Sequence, residues 1–163
     1  MPDDAGAQRF QLNPIGVIHS PYQQRDQAPR QGRLSENEAT LEVFPSFAPA
    51  LKGIEHCSHV IVLYWGDRAN REVLQSPTPF SEAPVGVFAS RSPNRPNPIA
   101  FCVADLIRRE GNRLIVRGVD ALDGSPLLDI KVYVPALDSV PEAVNRHMPA
   151  DQEAPLGGVA PHA

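Results

Sequence analysis

Eighteen prolines are scattered through the 163 residues of this chain, against 11 glycines. Each proline ring fixes φ at about −65° and removes a backbone donor, so no long helix survives that density. The prolines fall between runs rich in branched and aromatic residues, which predicts many short strands joined by stiff loops. The length fits one domain with a core that needs no disulfide staples. No apolar run reaches the roughly 18 residues of a membrane span, and no membrane association is expected. The acidic start Met1-Pro2-Asp3-Asp4-Ala5-Gly6 has no apolar stretch of the kind a secretory signal carries. Cys57 and Cys102 each lie in an apolar segment and are expected as buried, reduced thiols, which suits a cytoplasmic protein.

The expected elements follow the apolar pattern. Residues 1–12 read as a loose arm, 13–142 as the folded barrel domain and 143–163 as a disordered tail. Ile15 to Ser20 is a strand stopped by Pro21, and 21–36 is a polar loop without periodicity. Glu38 to Phe44 is a strand with one wet face, Phe47 to Ile54 gives one or two helical turns, and Cys57 to Trp65 is a central strand. Asp67 to Gln75 is expected as a short helix capped by Asp67. Strands follow at Pro84 to Ser90 and Ile99 to Ile107. The turn Glu110-Gly111-Asn112 makes a hairpin with Leu114 to Val119, and Leu127 to Val134 comes last. With about seven strands, no βαβ alternation and no G-x-G-x-x-G, the expected fold is a mainly β, single compact β-barrel with short helical turns.

A net charge of −4 argues against non-specific nucleic-acid binding. The cations cluster instead: Arg25, Arg30 and Arg33 share one loop, and Arg91 and Arg95 another. In Arg91-Ser92-Pro93-Asn94-Arg95-Pro96-Asn97-Pro98 three prolines in six residues fix most φ values, so the polar side chains are preset for a polar ligand. A stiff structural turn would look the same. Asp129 and Lys131 fall on one strand face by period-2 alternation. They could meet a zwitterionic ligand at a barrel mouth, or form a surface ion pair. His59 has no second ligand at metal spacing and reads as a satisfied core histidine, so no metal is expected.

These segments together resemble the TsaA-like, TrmO-type domain family. The matching stretches are Ile15-Gly16-Val17-Ile18-His19-Ser20-Pro21-Tyr22, Pro29-Arg30-Gln31, Gly53 to His59, Gly86 to Ile99, and Leu122-Asp123-Gly124-Ser125-Pro126-Leu127-Leu128-Asp129-Ile130-Lys131. They keep the family's order and spacing from about Ile15 to Pro141. The resemblance implies a β-barrel that binds S-adenosylmethionine, often as a homodimer, and methylates N6 of threonylcarbamoyladenosine at position 37 of tRNA. Carried over by motif, the cofactor residues are Pro29, Arg30, Gln31, Arg91, Ser92, Leu122, Asp123, Gly124 and Ser125. Arg95, Asn97 and Lys131 are candidates for substrate binding, and Asp67 and Asp129 for a proton acceptor. Where the family carries a His followed by an amide residue, this chain reads Trp65-Gly66-Asp67-Arg68. A barrel that methylates a different substrate, or one that only senses the cofactor, are the alternatives.

Overall fold

The computed structural model describes residues 7–78 and 80–147. The first half of the expected arm and the expected tail from residue 148 onward lie outside the described residues. Residues 7–12 are exposed and without regular structure. The described residues divide into two compact units, one running to Asp67 and resuming over Ile99–Val132, the other built from Arg68–Pro98 and the described residues from Tyr133.

The first unit is a closed antiparallel barrel. Its strands are β1 (Gly16–His19), β2 (Glu38–Val43), β3 (His59–Trp65), β6 (Ile99–Glu110), β7 (Arg113–Arg117) and β8 (Ser125–Val132), with β4 (Gln75–Thr78) and β5 (Ser81–Gly86) forming a separate ribbon in the second unit. The order around the barrel is β1-β2-β7-β6-β3-β8, closed between β8 and β1. Alternation decides which side chains point inward. Ile18, Leu41, Val43, Val60, Val62, Tyr64, Cys102, Ala104, Leu114, Val116 and Leu127 fill the interior. Fully burying each of the larger apolar side chains contributes about 1.5–3 kcal/mol. The expected mainly β barrel is what forms, with the β6–β7 hairpin where the turn signal put it.

Several expected elements come out differently. Asp67 to Gln75 is not helical. That stretch has no apolar stripe to bury, and side chains compete for its backbone. The Asn70 amide donates to Asn94 Oδ1 (2.9 Å) and the Glu72 amide to Asn70 Oδ1 (3.0 Å). The expected strand at Pro84 to Ser90 starts earlier, at Ser81, and ends at Gly86, because its partner is the polar segment Gln75–Thr78. Val87–Ala89 is then a 3-10 turn. His59 is no core residue. The inward parity of β3 belongs to Val60, Val62 and Tyr64, so His59 faces out, with Nε2 2.9 Å from Asp105 Oδ1. Cys102 is buried but Cys57 only half-buried, and both are free thiols.

Candidate functional site

Strand register gathers six strand ends at one end of the barrel. β1, β3 and β7 finish there at His19, Trp65 and Arg117, and β2, β6 and β8 begin there at Glu38, Ile99 and Ser125. The pairs His19↔Thr40, Ile18↔Ser125, Glu38↔Arg117 and Trp65↔Ile99 fix this. Two connections, 20–37 and 118–124, therefore share that end, and each carries one of the sequence motifs.

The 20–37 connection is built around Tyr22, which is buried. Its hydroxyl lies 2.5 Å from Ser35 Oγ and accepts from Asn37 Nδ2 at 3.2 Å. Gln27 Oε1 accepts from the backbone amides of Gln23 (2.8 Å) and Gln24 (3.0 Å), which closes the first turn of the loop. At the second turn, Gly32 lies against Gly118, where a Cβ would stand 2.0 Å from the Gly118 carbonyl oxygen. No residue with a side chain fits that approach. Beside it, Pro29 and Gln31 are half-buried and Arg30 is exposed. Arg30 pairs with no carboxylate among the described residues.

The 118–124 connection is sewn onto β1 and the loop that follows it. Gly124 has φ of +83°, the left-handed conformation that glycine tolerates. The Asp123 amide donates to the Tyr22 carbonyl (2.7 Å) and the Gly124 amide to that of Ile18 (2.8 Å). In return Ser20 donates its amide to Asp123 Oδ1 (2.9 Å) and its hydroxyl to the Ala121 carbonyl (2.6 Å). Ser125 is buried, with its hydroxyl on the Leu122 carbonyl at 2.6 Å. The Pro-Arg-Gln loop and the Asp-Gly turn, far apart in sequence, are thus brought together.

Below the turn is a group that the motifs do not announce. The Tyr64 hydroxyl donates to Asp120 Oδ1 at 2.7 Å, and Cys102 Sγ reaches the same oxygen at 3.0 Å. Burial first, and then the Asp120 charge, push the Tyr64 phenol far above its ordinary pKa of 10.0, while the Arg25 charge acts weakly the other way. The phenol is therefore a fixed donor. The available sequence signal was parity: Tyr64 and Cys102 fall on the inward faces of β3 and β6.

In the second unit the proline-fixed loop is held from within. Arg95 Nη1 donates to the carbonyls of Ser90 (3.2 Å) and Ser92 (3.1 Å). Arg71 donates to the Pro96 carbonyl (2.7 Å) and to Asn97 Oδ1 (3.2 Å). Arg95 and Asn97 thus shape the loop, while Arg91 is exposed and Ser92 half-buried. Asp129 and Lys131 do share a face, but it is the outer wall of β8, opposite Leu63 and Ile61, and they pair with each other at 3.4 Å. Asp67 is exposed two residues beyond β3, with its amide on the Trp65 carbonyl (3.0 Å).

Residues 17–139 match the family described as the tRNA-methyltransferase O N-terminal domain. An S-adenosyl-L-methionine-binding protein of Archaeoglobus fulgidus is 49% identical over 129 residues, covering 79% of this chain and 93% of that protein. A second protein of the same organism, described as a probable S-adenosyl-L-methionine-binding protein, is 53% identical over 133 residues, or 82% of this chain. The match spans only 36% of its length. Among solved structures, that of TrmO from Pseudomonas aeruginosa superposes with a TM-score of 0.73 at 38% identity, over 87% of this chain and 63% of that one.

Proposed function

Since this chain belongs to the tRNA-methyltransferase O N-terminal domain family, we propose that it binds S-adenosylmethionine and transfers the methyl group to tRNA, at N6 of threonylcarbamoyladenosine at position 37. The observation that carries this reading is the shared barrel end, where the connection bearing Pro29-Arg30-Gln31 is joined to the one bearing the Asp-Gly turn through Ser20 and Asp123 and through Gly32 and Gly118. The groups there suit the ligand. The Arg30 guanidinium, without a carboxylate partner among the described residues, matches a ligand carboxylate bidentately, and the Gln31 amide offers both a donor and an acceptor. Gly124, exposed and without a side chain, allows a ligand to approach the turn backbone. Pro29, Arg30, Gln31, Leu122, Asp123, Gly124 and Ser125 form the proposed cofactor set, and the motif adds Arg91 and Ser92.

Bound S-adenosylmethionine supplies an electrophilic methyl on sulfonium. The protein's part is alignment and exclusion of water, which together account for much of the acceleration in a two-substrate displacement. The acceptor N6–H loses its proton as the bond forms, so a nearby carboxylate helps. Asp67, at the loop-bearing barrel end, is the stronger proposal for that role. Asp129 is already paired with Lys131 on the outer wall. Arg95 and Asn97 contribute indirectly, by holding the loop that carries Arg91. A tRNA substrate is consistent with the expected cytoplasmic location.

A second reading, methylation of a different acceptor, is favoured by Trp65-Gly66-Asp67-Arg68 standing where the family has His and an amide residue. One experiment separates the two. The protein is incubated with S-adenosylmethionine and tRNA from a strain lacking the modification, and the nucleosides are analysed by mass spectrometry. Methylated threonylcarbamoyladenosine is expected. Cofactor binding without methyl uptake by any tRNA nucleoside would discard the tRNA reading.

A further inference from the structure

Two carboxylates stand within four residues of each other in the 118–124 connection, and the fold uses them differently. Asp123 is spent on structure: Oδ1 accepts from the Ser20 amide (2.9 Å) and Oδ2 from Gln23 Nε2 (3.4 Å). Asp120 is not. Both of its hydrogen bonds, from Tyr64 (2.7 Å) and Cys102 (3.0 Å), end on Oδ1. Oδ2 receives none among the described residues, and Asp120 forms no ion pair there.

The carboxylate is also fixed in place. Its neighbours Val119 and Ala121 are buried, and the Ala121 carbonyl is held by Ser20. Asp120 is itself half-buried, at the barrel end that bears both motifs. A half-buried carboxylate with one oxygen unfilled and no ion pair among the described residues is costly unless a positive partner arrives. S-adenosylmethionine carries two positive groups, a sulfonium and an ammonium, and the one carboxylate in the motif-derived set, Asp123, has both oxygens engaged.

We propose that Asp120 is a further binding residue, its open Oδ2 receiving a cationic group of S-adenosylmethionine. This rests on the cofactor reading above. The test is calorimetric titration of S-adenosylmethionine into the wild-type protein and into Asp120→Asn. The amide oxygen of asparagine still accepts from Tyr64 and Cys102, so the variant removes charge with little change of shape. Affinity should fall roughly 10- to 100-fold, the range for losing a charge-assisted hydrogen bond, with the far-ultraviolet spectrum unchanged. Equal affinity in the two proteins overturns the role of Asp120 and leaves the cofactor reading standing. No binding by the wild type brings down both.

S-adenosylhomocysteine, which keeps the ammonium but lacks the sulfonium, separates the two cations. An equal loss for both ligands assigns the ammonium, and a loss for S-adenosylmethionine alone assigns the sulfonium. Should Asp120→Asn fail to fold, the carboxyl carbon resonance of Asp120 in the labelled wild-type protein serves instead. It should shift on adding S-adenosylmethionine, and an unmoved resonance at saturation overturns the proposal.

Discussion

Arg91 ends an apolar run and opens a loop whose backbone is set by three prolines, so its direction owes little to packing. An exposed arginine contributes little to stability. Arg91→Ala should therefore leave the melting temperature of the free protein nearly unchanged. S-adenosylmethionine affinity should weaken by about 1.5–3 kcal/mol, and Arg91→Lys should recover only part of it, because an ammonium lacks the planar fork. A melting loss with intact binding would make Arg91 a strap. Glu42 answers a different question. Its carboxyl is held below the ordinary 4.5 chiefly by the hydrogen bond from His19 (2.7 Å), with Arg113 adding to it and partial burial opposing it. A folded-state value below the unfolded one stabilises above the unfolded pKa and is lost as pH falls through the folded value. Thermal melts from roughly pH 5 down to pH 3 should thus show a shallower acid decline for Glu42→Gln, the two proteins converging at the acid end. Parallel curves would show that this pair carries no pH-dependent stability.

At the scale of elements, the contact between Gly32 and Gly118 ties the Pro-Arg-Gln loop to the connection after β7. A methyl group at Gly32 would meet backbone 2.0 Å away, which no rotamer change relieves. Gly32→Ala should lower stability by about 1–3 kcal/mol and weaken cofactor binding as well, read by chemical denaturation and calorimetry. Unchanged binding would detach this loop from the site. This contact also shows what could be read in advance. The strands were legible because alternation and proline placement report on local backbone, and the hairpin at Gly111 was visible for the same reason. The ribbon strand Gln75–Thr78 was not, since Gln-Ser-Pro-Thr has no apolar face and pairs only because Ser81–Gly86 lies beside it. The Asp-Gly turn was visible as a turn, but its attachment to Ser20 and Tyr22, about a hundred residues away, leaves no periodic trace. Nor does the convergence of Tyr64 and Cys102 on Asp120, which exists only once β3 and β6 are in register.

For the whole molecule, the resemblance implies a pair of chains. Ile99 and Phe101 on the outer wall of β6 are each 46% exposed, apolar area that a second copy would cover. Light scattering at micromolar concentration should give the mass of a homodimer, and a monomer at every concentration would refute it. The closure of the barrel has a consequence for how it is made. The seam pairs Gly16 with Leu127, so its two sides are separated by roughly 110 residues, and such distant pairings are slow to form. On a ribosome β1 emerges before β2 and meets it early, but its other edge stays open until β8 has been synthesised. An unpaired edge is a template for strands of other chains. Nascent chains on crowded polysomes, rather than the finished barrel, are where this protein is most exposed to aggregation.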